Sequence, residues 1–454
     1  MPPYPIKDRG HERTIRASLS SIVFLVNRGI NISAGLISIP LTAKYLGTER
    51  FGMWLVLSSF LAWVSIADLG LANSLTNALA TADAKEDRKK KKKIIATAFG
   101  LMISVTLVAS VLLSILYPLI RWDKIFNIKS SQAISESNLA ASILIMIFLL
   151  RLTLSLPKRI YDAFQEGYIY EFFSIFGNLL SFATLVLAIH LQAGLPFLLG
   201  LSFGISSLGD LLAGIYMFCW KRPWLIPSIH DFNLLNARWL LKTGSLMWLS
   251  QISSLVMFQT DLIIVAQLFG ASDVSSYGVI LKLFSVNSTV AYAFLLPLWG
   301  AYSEALARGD ISWIIKTFKR SIYINLLFSL PLCILIYVLC PWIISSWLPQ
   351  SAIPDNNLIL AMLVTSIVTV VAHSIGILVV GLCEVSLAAK VGVIQGLSNI
   401  LLSIILGNII GVAGVAWSSA ICLMIFSIGI TGYKMTKRIR IIAHHQKLRN
   451  DSIA

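Results

Sequence analysis

The chain has 454 residues, of which 57% are hydrophobic and only 13% charged, with a formal net charge of +15. An ordinary soluble domain is about 25% charged, so a water-soluble enzyme is excluded. The excess of Lys and Arg has to be read loop by loop, and it then marks one side of a membrane and implies no nucleic-acid partner.

Residues 1–17 are polar and carry Lys7, Arg9, Arg13 and Arg16. The apolar run after them is too long for the core of a secretion signal and has no small-residue cleavage site, so it is expected to remain as an uncleaved anchor. Hydropathy then predicts six spans at 18–42, 51–79, 94–119, 138–157, 171–190 and 196–218. After a polar interval six more follow at 244–269, 275–302, 321–341, 358–380, 391–406 and 412–432. Each is near the ~20 residues that carry a helix across a bilayer. The fold class is therefore an all-α polytopic membrane protein of about twelve transmembrane helices. Its expected divisions are a six-helix lobe at 1–219, a cytoplasmic interfacial linker at 220–243, a second six-helix lobe at 244–433 and a basic tail at 434–454.

With the amino terminus inside, only Lys44, Arg50, Arg121, Lys124 and Lys129 of the 36 Lys and Arg fall outside, and Arg28, Arg151 and Lys282 lie within spans. This asymmetry places both termini in the cytoplasm of a multi-pass protein. The run from Arg88 to Lys93 and the basic tail read as topology anchors at the inner surface. Within the linker, Trp224, Phe232, Leu235, Trp239 and Leu240 alternate with polar residues, the pattern of an interfacial segment ending in a short amphipathic helix. The five cysteines (Cys219, Cys333, Cys340, Cys383 and Cys422) are scattered among apolar runs. With no CxxC and no histidine at metal spacing, they read as buried hydrophobes.

The two halves echo one another. AKYLGTERFGMW from Ala43 aligns with AQLFGASDVSSYGV from Ala266, setting Gly47 against Gly270 and Gly52 against Gly278. A second echo sets the loop at Glu166 against that at Glu384. Six spans per half is an even number, so the halves enter the membrane in the same sense and are expected to be related by an axis along the membrane normal, with a cavity between them.

The block PLTAKYLGTERFGMWLVLSSFLAWVSIADLGLANSLTNALA from Pro40 to Ala80, the AFQEG turn at Ala163 and the DLIIVAQLFG helix end at Asp261 resemble the Wzx-type polysaccharide (O-antigen) flippases of the multidrug/oligosaccharidyl-lipid/polysaccharide exporter superfamily. The twelve-span layout extends that resemblance over the whole chain. It implies a V-shaped pair of six-helix bundles that moves a lipid-linked oligosaccharide across the bacterial inner membrane, its sugar–pyrophosphate head in a cationic cavity and its polyprenyl tail in lipid. The partners so implied are that substrate, membrane lipids, and the polysaccharide polymerase and chain-length machinery.

An ionisable residue at the bilayer centre costs about 2.5–3.5 kcal/mol on insertion scales, so each requires a reason. Arg28 lies about ten residues, roughly 15 Å, above the inner end of its span, at the level of Asp68. Asp261 and Lys282 share a level in the second half. One acid–base pair per lobe is the structural expectation. The functional expectation is that Arg28 and Lys282 hold the pyrophosphate, for which arginine offers a bidentate fork and lysine a point charge. Asp68 and Asp261 are then the candidate sites for a coupling H+ or Na+, with no other cofactor. Asp210 and His373 read as structural, and Asn27, Asn31, Gln251, Asn287 and Asn399 as sugar-path or interhelical amides. The competing readings are an ion-coupled multidrug antiporter, whose cavity should be acidic, and a polysaccharide polymerase, which needs larger loops with catalytic acids. No GxxxxGK[ST] loop for ATP is present.

Overall fold

The computed structural model describes residues 6–347, 355–382 and 384–451, and every described element is helical or a short connection. Among the described residues, ten helical stretches are long and apolar enough to cross a membrane. The first of these, Ile22–Trp63, spans 42 residues and contains Gly47 at φ 73°, ψ 172°, a break that divides it into two crossings. The helix Leu234–Phe269 adds another through its apolar part Leu255–Phe269, giving the twelve expected. Long helices are the solution here because each satisfies its backbone hydrogen bonds internally, away from water. Cys219, Cys333, Cys340 and Cys422 are free thiols, and Cys383 lies outside the described residues.

Contacts divide the chain into one unit of Met1–Leu46 with Leu57–Trp248 and another of Gly47–Val56 with Leu249–Ala454. The division runs through the helix Leu234–Phe269, so it falls later than the expected linker. The reason is packing: linker residues Leu225 and Leu240 are buried in the first unit's core beside Leu71, Ile94, Leu152, Ile160 and Tyr161. In the second unit, Tyr302, Ile314, Ile375 and Leu378 form a core joined by Met435 and Ile439. The expected basic tail is the continuation of a helix, Gly432–Asp451, with Met435 and Ile439 buried in that core.

The repeat is visible in backbone geometry. Gly47 and Gly270 (φ 102°, ψ 167°) close the first helix of each half in a conformation that L side chains rarely adopt. Gly52 packs so closely that a Cβ there would lie 1.6 Å from the Ala271 carbonyl oxygen, while a Cβ on Gly278 would lie 2.6 Å from Leu55 Cδ1. Ser275 donates to the Thr48 carbonyl in the same contact. This glycine-mediated approach is what draws residues 47–56 into the second unit.

The second helix of each half is also interrupted. In the first half the break falls at Asp68–Leu69–Gly70, where Leu69 and Gly70 have positive φ. In the second half the helix Ala271–Leu295 gives way to Leu298–Arg308 across Leu296 and Pro297. Gly70 meets Gly244 backbone to backbone, since a Cβ on Gly70 would lie 2.3 Å from the Gly244 carbonyl oxygen.

Candidate functional site

In the first unit the polar side chains inside the helices join into a chain. Asn27, on the first span, donates to Glu171 and, at 3.2 Å, to Ser174 Oγ. Its own carbonyl oxygen accepts from Asn31 at 3.0 Å and from Asn178 at 3.4 Å. The other Glu171 oxygen accepts from Lys158 Nζ at 2.7 Å. Lys158 in turn lies 4.6 Å from the centre of the Tyr170 ring, and the Tyr170 hydroxyl donates to Asp210. Close to this chain, Arg151 donates to Ser207 Oγ and to the Phe203 carbonyl, both at 2.9 Å. Asn27 and Glu171 are buried, whereas Arg28 and Asn31 are exposed at the same turn of the first span. Among the described residues Arg28 has no hydrogen bond or ion pair.

The second unit holds its acid differently. Asp261 is 5% exposed. It accepts from Tyr277 at 3.0 Å, Ser419 at 3.0 Å and Asn399 at 3.3 Å. Asn399 also donates to the Met257 carbonyl and accepts from Ser418. All of these donors are neutral, so Asp261 is a deep carboxylate without a cationic partner among the described residues. Asn287 donates to Ser366 at 2.9 Å, and the His373 ring packs edge-on against Tyr292. Among the described residues no group of three or more His, Cys, Asp and Glu is placed to hold a metal ion.

The acid–base pairs expected from depth are therefore replaced by other partners. Asp68 accepts from the Gly70 amide at 2.9 Å and closes the Asp68–Gly70 turn, as an aspartate two residues before a glycine is suited to do. Asp261 meets Tyr277, Asn399 and Ser419, and Lys282 is exposed on its helix. Depth arithmetic gives a residue's level but not its direction around the helix axis, and direction decides contact. Lys158 and Glu171 were missed because they sit at the ends of the predicted spans. The observed helices run Leu156–Ala163 and Gly167–His190, which draws both charges into one hairpin. Opposite charges flanking the AFQEG turn were the available signal.

The glutamates of the Glu166 and Glu384 turns are also paired. Glu166 accepts from Arg222 at 2.7 and 3.1 Å and meets Lys221 at 3.0 Å. Burial raises the Glu166 pKa, but the hydrogen bonds and charges of Arg222 and Lys221 outweigh it and hold the carboxyl below its usual range. Glu384 pairs with Arg438 at 2.9 Å.

Residues 20–296 match the model of the family described as "Polysaccharide biosynthesis protein". The chain is 23% identical over 336 residues to a protein of Yersinia pseudotuberculosis named "Putative O-antigen export protein", spanning 71% of this chain and 73% of that one. It is 26% identical over 299 residues to a "Putative O-antigen transporter" of Salmonella typhi, spanning 64% and 65%. Among solved structures, an inward-facing multidrug resistance MATE family transporter superposes with a TM-score of 0.76 at 13% identity, covering 95% of this chain and 99% of that one. A MATE in complex with MaL6 gives 0.66 at 14% identity, covering 94% and 97%. At such identities the likeness shows the fold, the two-lobe, twelve-helix arrangement of those transporters.

Proposed function

The chain belongs to the polysaccharide biosynthesis protein family, bearing out its resemblance to the Wzx-type flippases. From that premise we propose that it moves a polyprenyl-pyrophosphate-linked oligosaccharide from the inner to the outer leaflet of the bacterial inner membrane by alternating access, with both termini in the cytoplasm. The observation that carries the reading is Arg28: an exposed guanidinium within the first span, beside exposed Asn31 and buried Asn27, with no acid paired to it among the described residues. An arginine without an internal partner is available to a phosphate, and neighbouring amides suit sugar hydroxyls. Lys282, exposed on its helix in the second unit, is a second cation proposed to meet substrate phosphate. Asp261 suits a coupling ion, because a deep carboxylate surrounded by neutral donors gains most from binding H+ or Na+. The polymerase and chain-length machinery would take over the unit after release.

The MATE likeness supports a second reading, an ion-coupled antiporter of small molecules. The exposed Arg28 opposes it when the cargo is an organic cation. The deciding experiment deletes the gene and follows both surface polymer and the leaflet distribution of lipid-linked glycan. Loss of polymer with units stranded on the inner leaflet is expected, and an unchanged distribution would favour the antiporter. In complementation, Arg28→Ala and Lys282→Ala should each lower transport roughly ten- to a hundredfold, the worth of a charge-assisted hydrogen bond, while inserting normally. Full transport by both variants refutes their role. Asp261→Asn should insert and bind substrate but lose its response to the ion gradient.

A further inference from the structure

The segment between the sixth and seventh spans is fastened to the first unit along one side and exposed along the other. Its fastened side is specific. The Asp231 carboxylate meets Lys92 Nζ at 3.0 Å, and the Asn233 amide donates to Thr97 Oγ1 at 3.1 Å. The Phe232 ring lies over Gly100, where a Cβ would come within 2.8 Å of it. Trp224 lies beneath two cations, 5.5 Å from Arg88 and 5.6 Å from Lys91. Lys92, Thr97 and Gly100 follow one another up a single helix over eight residues, about 12 Å of rise. The linker therefore lies alongside the first turns of the apolar run that starts at Ile94, where headgroups give way to acyl chains.

The exposed side is apolar and cationic together. Ile229 is 93% exposed, Leu234 78% and Leu235 79%, and Ile226 and Trp239 are also open. Arg238 and Lys242, one turn apart on the same helix, are exposed with them. So are Lys89, Lys90 and Lys93 on the helix to which the linker is fastened. Asp231, the acid of this stretch, is already paired with Lys92. An amphipathic surface at this depth, with apolar residues next to cations that make no ion pair among the described residues, matches the chemistry of anionic phospholipids, acyl chain and headgroup at once.

We propose that the linker and the Arg88–Lys93 helix start form a binding platform for anionic phospholipids of the adjacent leaflet, which the charge asymmetry makes the cytoplasmic one. Leu234, Leu235 and Trp239 enter the acyl boundary. Lys89, Lys90, Lys93, Arg238 and Lys242 hold headgroup phosphates. The proposal is independent of what the protein transports.

The test uses the full chain in nanodiscs of phosphatidylcholine with and without 30% phosphatidylglycerol, reading lipids retained by native mass spectrometry and the thermal midpoint. The wild type should retain phosphatidylglycerol in preference to phosphatidylcholine, and the preference should fall as salt rises. Each cation changed to Gln should weaken retention by about fivefold, so that K89Q/K90Q/K93Q/R238Q/K242Q abolishes the preference. Leu234→Ser with Leu235→Ser should weaken retention of both lipids. Equal retention of the two lipids by the wild type, or a preference indifferent to salt, overturns the platform. Because salt dependence is read on the wild type, the outcome stands even if the five-residue variant fails to insert.

Discussion

The two halves close their Glu166 and Glu384 turns with the same device in different surroundings. Glu166 is held by Arg222 and Lys221 with side chains 6%, 20% and 21% exposed. Glu384 is held by Arg438 with side chains 30% and 54% exposed. Both glutamates precede a helix, and their partners lie in or just after the half's last span, Lys221 and Arg222 at the end of Leu195–Lys221 and Arg438 within Val412–Ile442, so the repeat preserves the architecture of the turn. What it does not preserve is cover. The Arg222 guanidinium stacks 4.1 Å over Phe164, and the linker that follows packs onto the same unit. Position in a repeat fixes which residues meet, and burial fixes what the meeting is worth. The membrane-embedded acids differ likewise: Glu171 is neutralised by Lys158, whereas Asp261 has only neutral donors. The first half thus has an embedded acid, Glu171, paired with a cation, and the second an acid, Asp261, that meets only neutral donors among the described residues.

The sharpest way to break this comparison is through the paired glycines. Gly52→Ala would drive a Cβ into the backbone of Ala271, which cannot move aside without shifting a helix. A loss of well over ~3 kcal/mol is expected, above the usual cost of overpacking. It should be seen as failure to purify folded protein. Gly278→Ala clashes with the tip of the Leu55 side chain, its contact with Leu262 being an ordinary 3.6 Å, so a cost of about 1 kcal/mol and a recoverable protein are expected. Equal tolerance of the two changes would mean that the close approach at Gly52 is not part of the fold.

The twelve spans, the half-chain repeat and the special glycines were legible because length, hydropathy and a positive φ leave direct marks on sequence. The partners of the embedded charges were not. Asp68 was read as a mid-span acid, although the Asp-Leu-Gly sequence already carried a turn signal that hydropathy overrode. Lys158 and Glu171 were passed over because hydropathy ends a span at the first charge, while the helix continues wherever another charge stands opposite. Asp261 was found by its isolation, but Tyr277, Asn399 and Ser419 come from three further segments and meet it only in the folded unit. The linker's amphipathic pattern was legible, while its fastening through Asp231 and Asn233 was not.

The turn glutamates sharpen the comparison next. Glu166→Gln leaves Arg222 and Lys221 without their acid in a largely buried place. It should destabilise the first unit by about 3 kcal/mol, the low end for breaking a buried pair. Glu384→Gln, at a half-exposed pair, should cost less than about 1 kcal/mol. Thermal midpoints of the two variants in one detergent measure both. Equal shifts would show that the cover around Glu166 contributes nothing.

The smallest effect is in pH. The folded Glu166 pKa is depressed below the ordinary glutamate value. The folded protein therefore holds the carboxylate charged at acidities where the unfolded chain takes up a proton. The resulting stabilisation is fully present above pH ~5 and is lost as pH falls through the folded pKa. Lowering the pH from 6 towards 4 should thus reduce the thermal midpoint of the wild type more than that of Glu166→Gln, which has no proton to gain at this position. The two melting curves should converge as the acid range is entered, because acid removes from the wild type the interaction that the substitution has already removed. Parallel curves would mean that Glu166 binds its proton equally well folded and unfolded, and that Arg222 and Lys221 merely lie beside it.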